Sequence, residues 1–308
     1  LRISPRNASR AELRRLATFG GGLLATRVIG TLYRQMDKLI IGSVLGTRLV
    51  TPYEVANKVQ SGPAMVRSIA ASSLLPATAY IREKREVLRD MYLRGSSYTV
   101  ALTLPVVAGT FIFTGPLIAG WVGDALKDDA STTTRLFLCY LAVGLPQAVG
   151  QSMLVALGRI RPVLVIASSA LAINVAVSLA LVSPLGIEGV VIGTLVSGIV
   201  TWPSLLRLCL REFGVSVRGW LEAIGLPNLP GLTVQAATAL PLLHLAERAD
   251  SLAVTGILVL LSVLLSFAAY LSVGLGRPQR QVLLRTLKEA TGIRIGADVA
   301  PEPESSTP

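Results

Sequence analysis

Runs of about twenty consecutive apolar residues recur along this 308-residue chain and constrain its fold more than any other feature. A helix rises about 1.5 Å per residue, so a run of about twenty residues crosses the roughly 30 Å hydrocarbon core of a bilayer. Charged residues make up only 15% of the chain, whereas about a quarter is usual in a soluble domain. The pattern therefore predicts an all-α fold, a polytopic membrane helix bundle.

About eight transmembrane helices are predicted from these runs. The last six are plainly apolar, whereas the first two are amphipathic and carry charges inside the span. The predicted spans are 17–45, 52–79, 97–121, 132–157, 162–183, 187–208, 222–243 and 252–274. A basic tail, 1–16, precedes them, and a tail over 276–308 follows, with a composition at its end that is typical of disorder. Because the first residue is Leu1 and not Met, we expect the chain to be part of a longer protein.

The distribution of lysine and arginine predicts the orientation in the membrane. With eight spans, 20 of these residues lie in the tails and loops on one side, and 4 lie on the other side. Loops rich in lysine and arginine stay in the cytoplasm. We therefore expect a multi-pass protein of the cytoplasmic membrane with both termini cytoplasmic, which requires an even number of spans.

The residues argue against several classes of function. Cys139, Cys209 and the single histidine, His244, are scattered, and they form neither a catalytic set nor a metal-binding motif. There is no Walker loop. The net charge of +11 is accounted for by the topology, and aromatic residues, at 5%, are too few for a nucleic-acid surface. We therefore expect a protein that is not an enzyme, needs no cofactor and binds no nucleic acid.

Charged residues inside the first two spans are the most informative feature for function. The five basic residues are Arg27, Arg34, Lys38, Lys58 and Arg67, and the two acidic residues are Asp37 and Glu54. A charge at the centre of a membrane helix costs about 2.5–3.5 kcal/mol on insertion scales. Such helices should face a water-filled cavity or a partner helix. The excess of positive charge favours an anionic ligand, such as a lipid phosphate or pyrophosphate.

Two simpler explanations of these charges remain open. Asp37 with Arg34, and Glu54 with Lys58, have the helical spacing of ion pairs that only hold the bundle together. Lys38 and Arg67 could instead extend to the membrane interface. Three further polar residues lie in the middle of predicted spans, and for these we expect hydrogen bonds between helices: Gln147, Gln151 and Asn174.

The segment that carries these charges also resembles a known family. Residues 36–46 (MDKLIIGSVLG) and 52–58 (PYEVANK) are similar to a pattern in polysaccharide flippases, in which D-x-hydrophobic-hydrophobic-I-G-x-x-L-G precedes Y-x-x-A-x-K. Weaker similarities follow at 74–76 (LLP), 116–123 (PLIAGWVG), 156–159 (ALGR) and 186–194 (GIEGVVIGT). The chain resembles the C-terminal half of Wzx-like flippases of the multidrug/oligosaccharidyl-lipid/polysaccharide (MOP) superfamily.

The resemblance implies an architecture and a set of site residues. Residues 17–214 would form the six-helix C-terminal lobe of a MATE/MOP-like transporter, and 215–275 would add two trailing helices. The N-terminal lobe would be missing from this chain or supplied by a partner chain. By matching position, the basic residues would line a cationic cavity, whereas the acidic ones would balance charge or couple to an ion. The cavity set is Arg27, Arg34, Lys38, Lys58 and Arg67, and the acidic set is Asp37 and Glu54.

The expected function is that of a membrane transporter in cell-envelope polysaccharide biosynthesis. It would translocate a lipid-linked oligosaccharide or polysaccharide precursor, an anionic polyprenyl-linked glycan, across the cytoplasmic membrane by alternating access. Three alternatives are a MATE-type cation-coupled exporter, a non-transporting scaffold in glycan assembly, and a multi-span glycosyltransferase. An exporter of cations should have an acidic cavity, and a glycosyltransferase should have donor-site acidic residues, so both fit the charges less well.

Overall fold

The protein is a bundle of helices throughout the part of the chain that the computed structural model describes, residues 10–81, 84–249 and 251–274. The eleven α-helices are α1 (Arg10–Ile40), α2 (Val50–Ser72), α3 (Leu75–Tyr80), α4 (Arg85–Ile112), α5 (Thr114–Val122), α6 (Lys127–Gly144), α7 (Ala148–Ala156), α8 (Ile160–Phe213), α9 (Val217–Trp220), α10 (Leu229–Ala249) and α11 (Leu252–Ala269). Single turns of 3-10 or π-helix join several of them, such as Ile41–Leu45 after α1 and Tyr270–Gly274 after α11.

Among the described residues, five helical stretches are long and apolar enough to cross a membrane, which makes this a membrane-embedded bundle. They are Arg85–Ile112, Asp124–Ala156, Ile160–Phe213, Val217–Ala249 and Leu252–Gly274. The third has 54 residues, about 80 Å of helix, which is long enough for two crossings. Helices α1 and α2 are also formed, but their charges keep them out of the apolar set. The all-α, polytopic architecture is confirmed. Residues 1–9 of the predicted N-terminal tail, and all of the predicted C-terminal tail, 276–308, lie outside the described residues, whereas residues 10–16 form the start of α1.

Helix α8 is a hairpin of two membrane helices. At Gly186 the backbone leaves the helical region, with φ 61° and ψ −137°, a conformation that favours glycine. Beyond it, Gly189 lies against the backbone of Leu181, and Gly193 lies against Ser178. Small residues at this spacing let two membrane helices approach closely. The first arm, 160–185, therefore runs beside the second, 187–213, at very short range.

The two largest apolar cores of the described residues lie at different ends of the bundle. The larger core surrounds Tyr92, Met153, Phe213 and Trp220, close to the ends of α7 and α8 and the start of α4. We call this end the basic end, because the predicted basic loops lie there. The smaller core surrounds Ile41, Tyr53 and Phe137 with residues 182–191 of the hairpin turn. We call this the opposite end.

The trailing helices α10 and α11 pack on α4 rather than on α1. Gln235 of α10 is buried, and its Nε2 donates to the Pro105 carbonyl of α4 at 2.8 Å and to Ser262 Oγ of α11 at 3.2 Å. One amide therefore connects all three helices. Because the pair lies against α4, it does not cover the charged face of α1.

Candidate functional site

Helices α1 and α2 are joined to each other at the opposite end of the bundle. The chain turns between them through Gly46, with φ 88°. Residues equally far from this turn become neighbours, so Lys38 Nζ forms an ion pair with Glu54 Oε1. The ion pairs of the simpler explanation, Arg34–Asp37 and Glu54–Lys58, are not formed among the described residues. The cross-helix geometry, rather than spacing along one helix, determines the partners.

Asp37 is buried, at 3% exposure, and is bonded only to neutral groups. Tyr53 Oη donates to its Oδ2 at 3.2 Å, and Thr194 Oγ1 donates to the same oxygen at 2.9 Å. Asn174 Nδ2 donates to Thr194 Oγ1 at 2.7 Å. Asp37 therefore connects α1 to α2 and to both arms of the α8 hairpin. We call Asp37, Tyr53, Asn174 and Thr194 the Asp37 cluster.

The Asp37 cluster has acceptor capacity that the described residues do not use. Asp37 Oδ1 and Asn174 Oδ1 are both buried and have no hydrogen-bond partner there. One turn away on each arm, Ser178 Oγ donates to the Val190 carbonyl at 3.1 Å. A buried carboxylate without a cation is costly. Its chemistry therefore suits a proton or a hard monovalent cation such as Na⁺, which prefers oxygen ligands and needs one compensating charge.

Tyr33 connects the Asp37 cluster to the interior of the lobe. Its Oη lies 2.6 Å from Ser197 Oγ and donates to the Thr194 carbonyl at 3.3 Å. Its ring stacks on Tyr140, with centroids 6.3 Å apart. Tyr33 lies one helical turn from Asp37, so one face of α1 contacts the second arm of α8 through both residues.

A second face of α1 and one face of α2 are open and cationic. The side chains of Arg27, Arg34 and Lys58 are exposed in the described bundle. Within the described residues, the Arg34 guanidinium donates to Thr31 Oγ1, at 3.4 Å, and forms no ion pair. Below Lys58, the same face of α2 exposes small polar residues at helical spacing, Ser61, Ser68 and Ser72. We call this surface of α1 and α2 the cationic face.

Arg67 does not lie with the other basic residues. It lines a cavity of about 350 Å³ between α1, α2, α6, α7 and both arms of α8. Its Nη1 lies against Gly144, where an added Cβ would be 3.3 Å away. None of Arg27, Arg34, Lys38 and Lys58 lines this cavity. The predicted site therefore divides into the cationic face, the Lys38–Glu54 pair, the Asp37 cluster and the Arg67 cavity.

Sequence reasoning missed the partners of Asp37. Tyr53 and Thr194 received no role, although Asn174 was expected to bond between helices, as it does. Gln147 also bonds between helices, donating to the Trp202 carbonyl at 2.9 Å, whereas Gln151 lines the Arg67 cavity. The sequence signal that could have identified these partners is a polar residue in the middle of an apolar span, such as Asn174.

Comparison with known proteins supports a role in polysaccharide biosynthesis. Residues 1–129 match a family described as "Polysaccharide biosynthesis protein". The chain is similar to that family over this segment. All seven predicted site residues lie inside it, whereas Asn174 and Thr194 lie beyond it. Neither a curated protein nor a solved structure matches the chain. The family match and the apolar helices together fit a membrane protein of polysaccharide biosynthesis.

Proposed function

We propose that this chain is one lobe of a flippase, in which the cationic face lines the path of a lipid-linked oligosaccharide or polysaccharide precursor. The observation that carries the proposal is the open position of Arg27, Arg34 and Lys58 on two helices that pack into the bundle through other residues, such as Asp37 and Tyr53. Charged residues in membrane helices face a bundle interior or an aqueous cavity rather than lipid. The cationic face therefore needs an opposite wall, which the missing lobe or a partner chain would supply.

The charges of the cationic face select the ligand class. Lys38 is neutralised by Glu54, so the net charge is carried by Arg27, Arg34 and Lys58. Three cations suit the pyrophosphate of a polyprenyl-linked glycan, because charged donors to phosphate form the strongest hydrogen bonds. This argues against the alternative of a MATE-type exporter of organic cations. A scaffold without transport would have no use for an open row of charges.

The proposed transport cycle alternates access of the cationic face to the two sides of the cytoplasmic membrane. Lys38–Glu54 and the Asp37 cluster join α1 and α2 at the opposite end, whereas the Arg67 cavity separates them nearer the basic end. Helices joined at one end can move as a unit against an opposing lobe. With the basic end in the cytoplasm, the cationic face would collect the precursor there and release it outside. Asp37 would couple the cycle to a cation.

Alanine substitutions on the cationic face test this function in the natural full-length protein. Arg27→Ala, Arg34→Ala and Lys58→Ala should each lower surface polysaccharide about tenfold or more, because each removes a charged hydrogen-bond donor worth about 1.5–3 kcal/mol. Surface polysaccharide and protein amount in the membrane are measured together in the host cell.

A matched control uses an arginine outside the cationic face. Arg94 of α4 is exposed and pairs with Asp90, with Nε 2.7 Å from Oδ1, an arrangement that adds little stability. Arg94→Ala should leave polysaccharide normal. If all three cationic-face variants also give normal polysaccharide at normal protein amounts, the cationic face does not bind the substrate. Normal binding of precursor with no translocation in proteoliposomes would favour the scaffold.

A further inference from the structure

The Arg67 cavity lies between the helices of the lobe and adjoins the cationic face at Ser68 and Ser72, which line both. Nine residues, or two and a half helical turns, separate Lys58 from Arg67, so the two side chains leave α2 on opposite sides. The cavity wall opposite Arg67 comes from α8, through residues such as Val163, Ala167 and Trp202. Arg27, Arg34 and Lys58 are not among the residues that line this cavity.

The charge of Arg67 is uncompensated in the described residues. No carboxylate is among the residues that line the cavity, and no ion pair or hydrogen bond of the guanidinium is found in the part of the chain described. Gly144 leaves room for the guanidinium, which sits against its backbone. A partly buried cation without a counter-charge is unfavourable in a membrane interior. An anionic group in the cavity would remove that cost.

The remaining walls of the cavity indicate which chemical groups should be attached to the anion. Hydroxyl and amide groups surround one part, from Tyr33, Ser72, Gln147, Gln151 and Thr201. Apolar side chains line another part, including Ile29, Val163, Ile166 and Leu205. A volume of about 350 Å³ is at the small end of the range for small-molecule sites, about 300–1,000 Å³. It suits a phosphate with a short hydrocarbon attachment and excludes a whole glycan.

We propose that the Arg67 cavity is a second anion site, which binds a phosphate group that carries a short apolar chain. It goes beyond the proposed function, because its cation is Arg67 and none of the three cations of the cationic face lines the cavity. Arg67 would bond the phosphate oxygens, amide N–H groups of Gln147 and Gln151 would complete the shell, and the apolar wall would hold the first part of the chain. The phosphate could belong to an isoprenoid lipid, to a phospholipid or to free phosphate.

Direct binding to the purified full-length protein in detergent tests this proposal without a transport assay. The probes are geranyl phosphate, dihexanoyl phosphatidylglycerol and inorganic phosphate, each measured by calorimetry. Geranyl phosphate should bind, and Arg67→Gln should weaken its binding roughly 10- to 100-fold, since a charged donor is lost. Arg94→Gln, outside both the cavity and the cationic face, should leave its affinity unchanged.

A second variant distinguishes loss of the site from misfolding of the Arg67→Gln protein. Gly144→Leu keeps the charge of Arg67 but fills the space beside its guanidinium, so it should also weaken binding. Preferential binding of phosphatidylglycerol or inorganic phosphate, lost in Arg67→Gln, would identify the source and still support the site. The proposal is overturned if Arg67→Gln and Gly144→Leu, both folded by circular dichroism, bind every probe as the wild type does. It is equally overturned if Arg94→Gln weakens binding as much as Arg67→Gln. These binding results do not depend on whether the cationic-face variants lose transport, so this proposal and the proposed function can fail separately.

Discussion

Replacing Gly189 by alanine is expected to lower the apparent melting temperature of the protein by about 5 °C or more, because overpacking costs about 1–3 kcal/mol. In an ordinary helix the same change stabilises, since alanine is the better helix former by about 1 kcal/mol. Here the new Cβ would overlap the Leu181 carbonyl oxygen, which is backbone and cannot rotate away. The two arms of α8 must then separate.

Separation of the arms should also disturb the Asp37 cluster. Gly193 lies one turn further along, and a Cβ there would overlap Ser178 Oγ and approach the Asn174 carbonyl oxygen to 3.0 Å. The neighbouring residue is Thr194, which receives the 2.7 Å bond from Asn174 and donates to Asp37. Gly193→Ala should therefore lower both melting temperature and transport.

Gly256 of α11 provides the control for this prediction. It lies in a helix, and an added Cβ there would meet nothing within 4 Å. Gly256→Ala should leave the melting temperature unchanged or raise it, in a thermal scan at the same detergent and scan rate, since such unfolding is often irreversible. A Gly189→Ala protein that melts at or above the wild-type temperature would show that the arms of α8 are not in contact.

The helices were predictable from the sequence because their signal is local. A run of about twenty apolar residues forms a membrane helix in almost any context, since its backbone groups must bond to each other in lipid. The hairpin arms were predicted as 162–183 and 187–208, and the structure places the break at Gly186. The charges of α1 and α2 weakened their apolar signal without preventing the helices.

The sequence could partly predict that the basic residues of the proposed cavity lie in separate places. Helical spacing already places Arg67 on the opposite side of α2 from Lys58. Lys38 and Glu54 lie equally far from Gly46, so a turn there makes them neighbours. Neither argument predicts the hydrogen bond from Thr194 to Asp37, because 157 residues separate the two. Contacts of that range depend on which faces of distant helices meet, and the pattern along one helix does not determine this.

Replacing Asp37 by asparagine is expected to lower transport at least about tenfold without lowering the stability of the protein. Asparagine keeps the shape of the side chain and an oxygen that can accept from Tyr53 and Thr194. It removes a buried charge that no cation among the described residues compensates, a change that is often neutral or stabilising. A residue that served only to hold helices together would instead lose stability and transport in parallel.

The same variant should identify the cation that the Asp37 cluster takes. A ligand that binds only the folded protein stabilises it by about 2.7 kcal/mol at one hundred times its dissociation constant. If the cation is Na⁺, the wild-type melting temperature should rise when choline chloride is replaced by sodium chloride at equal ionic strength, and Asp37→Asn should abolish that rise. If the cation is a proton, the sodium effect should be absent, and the melting temperature of the wild type should depend more strongly on pH than that of Asp37→Asn.

Glu54 supplies the matched control, because Glu54→Gln makes the same change of carboxylate to amide on the neighbouring helix. Glu54 is half-buried and already has a cation, Lys38. Its loss should weaken the joint between α1 and α2 and leave the cation response of the melting temperature intact. Coupling would be excluded if Asp37→Asn transported normally, or if Glu54→Gln abolished the cation response as fully as Asp37→Asn. In the first case, the unused oxygens of Asp37 and Asn174 would have no role in transport.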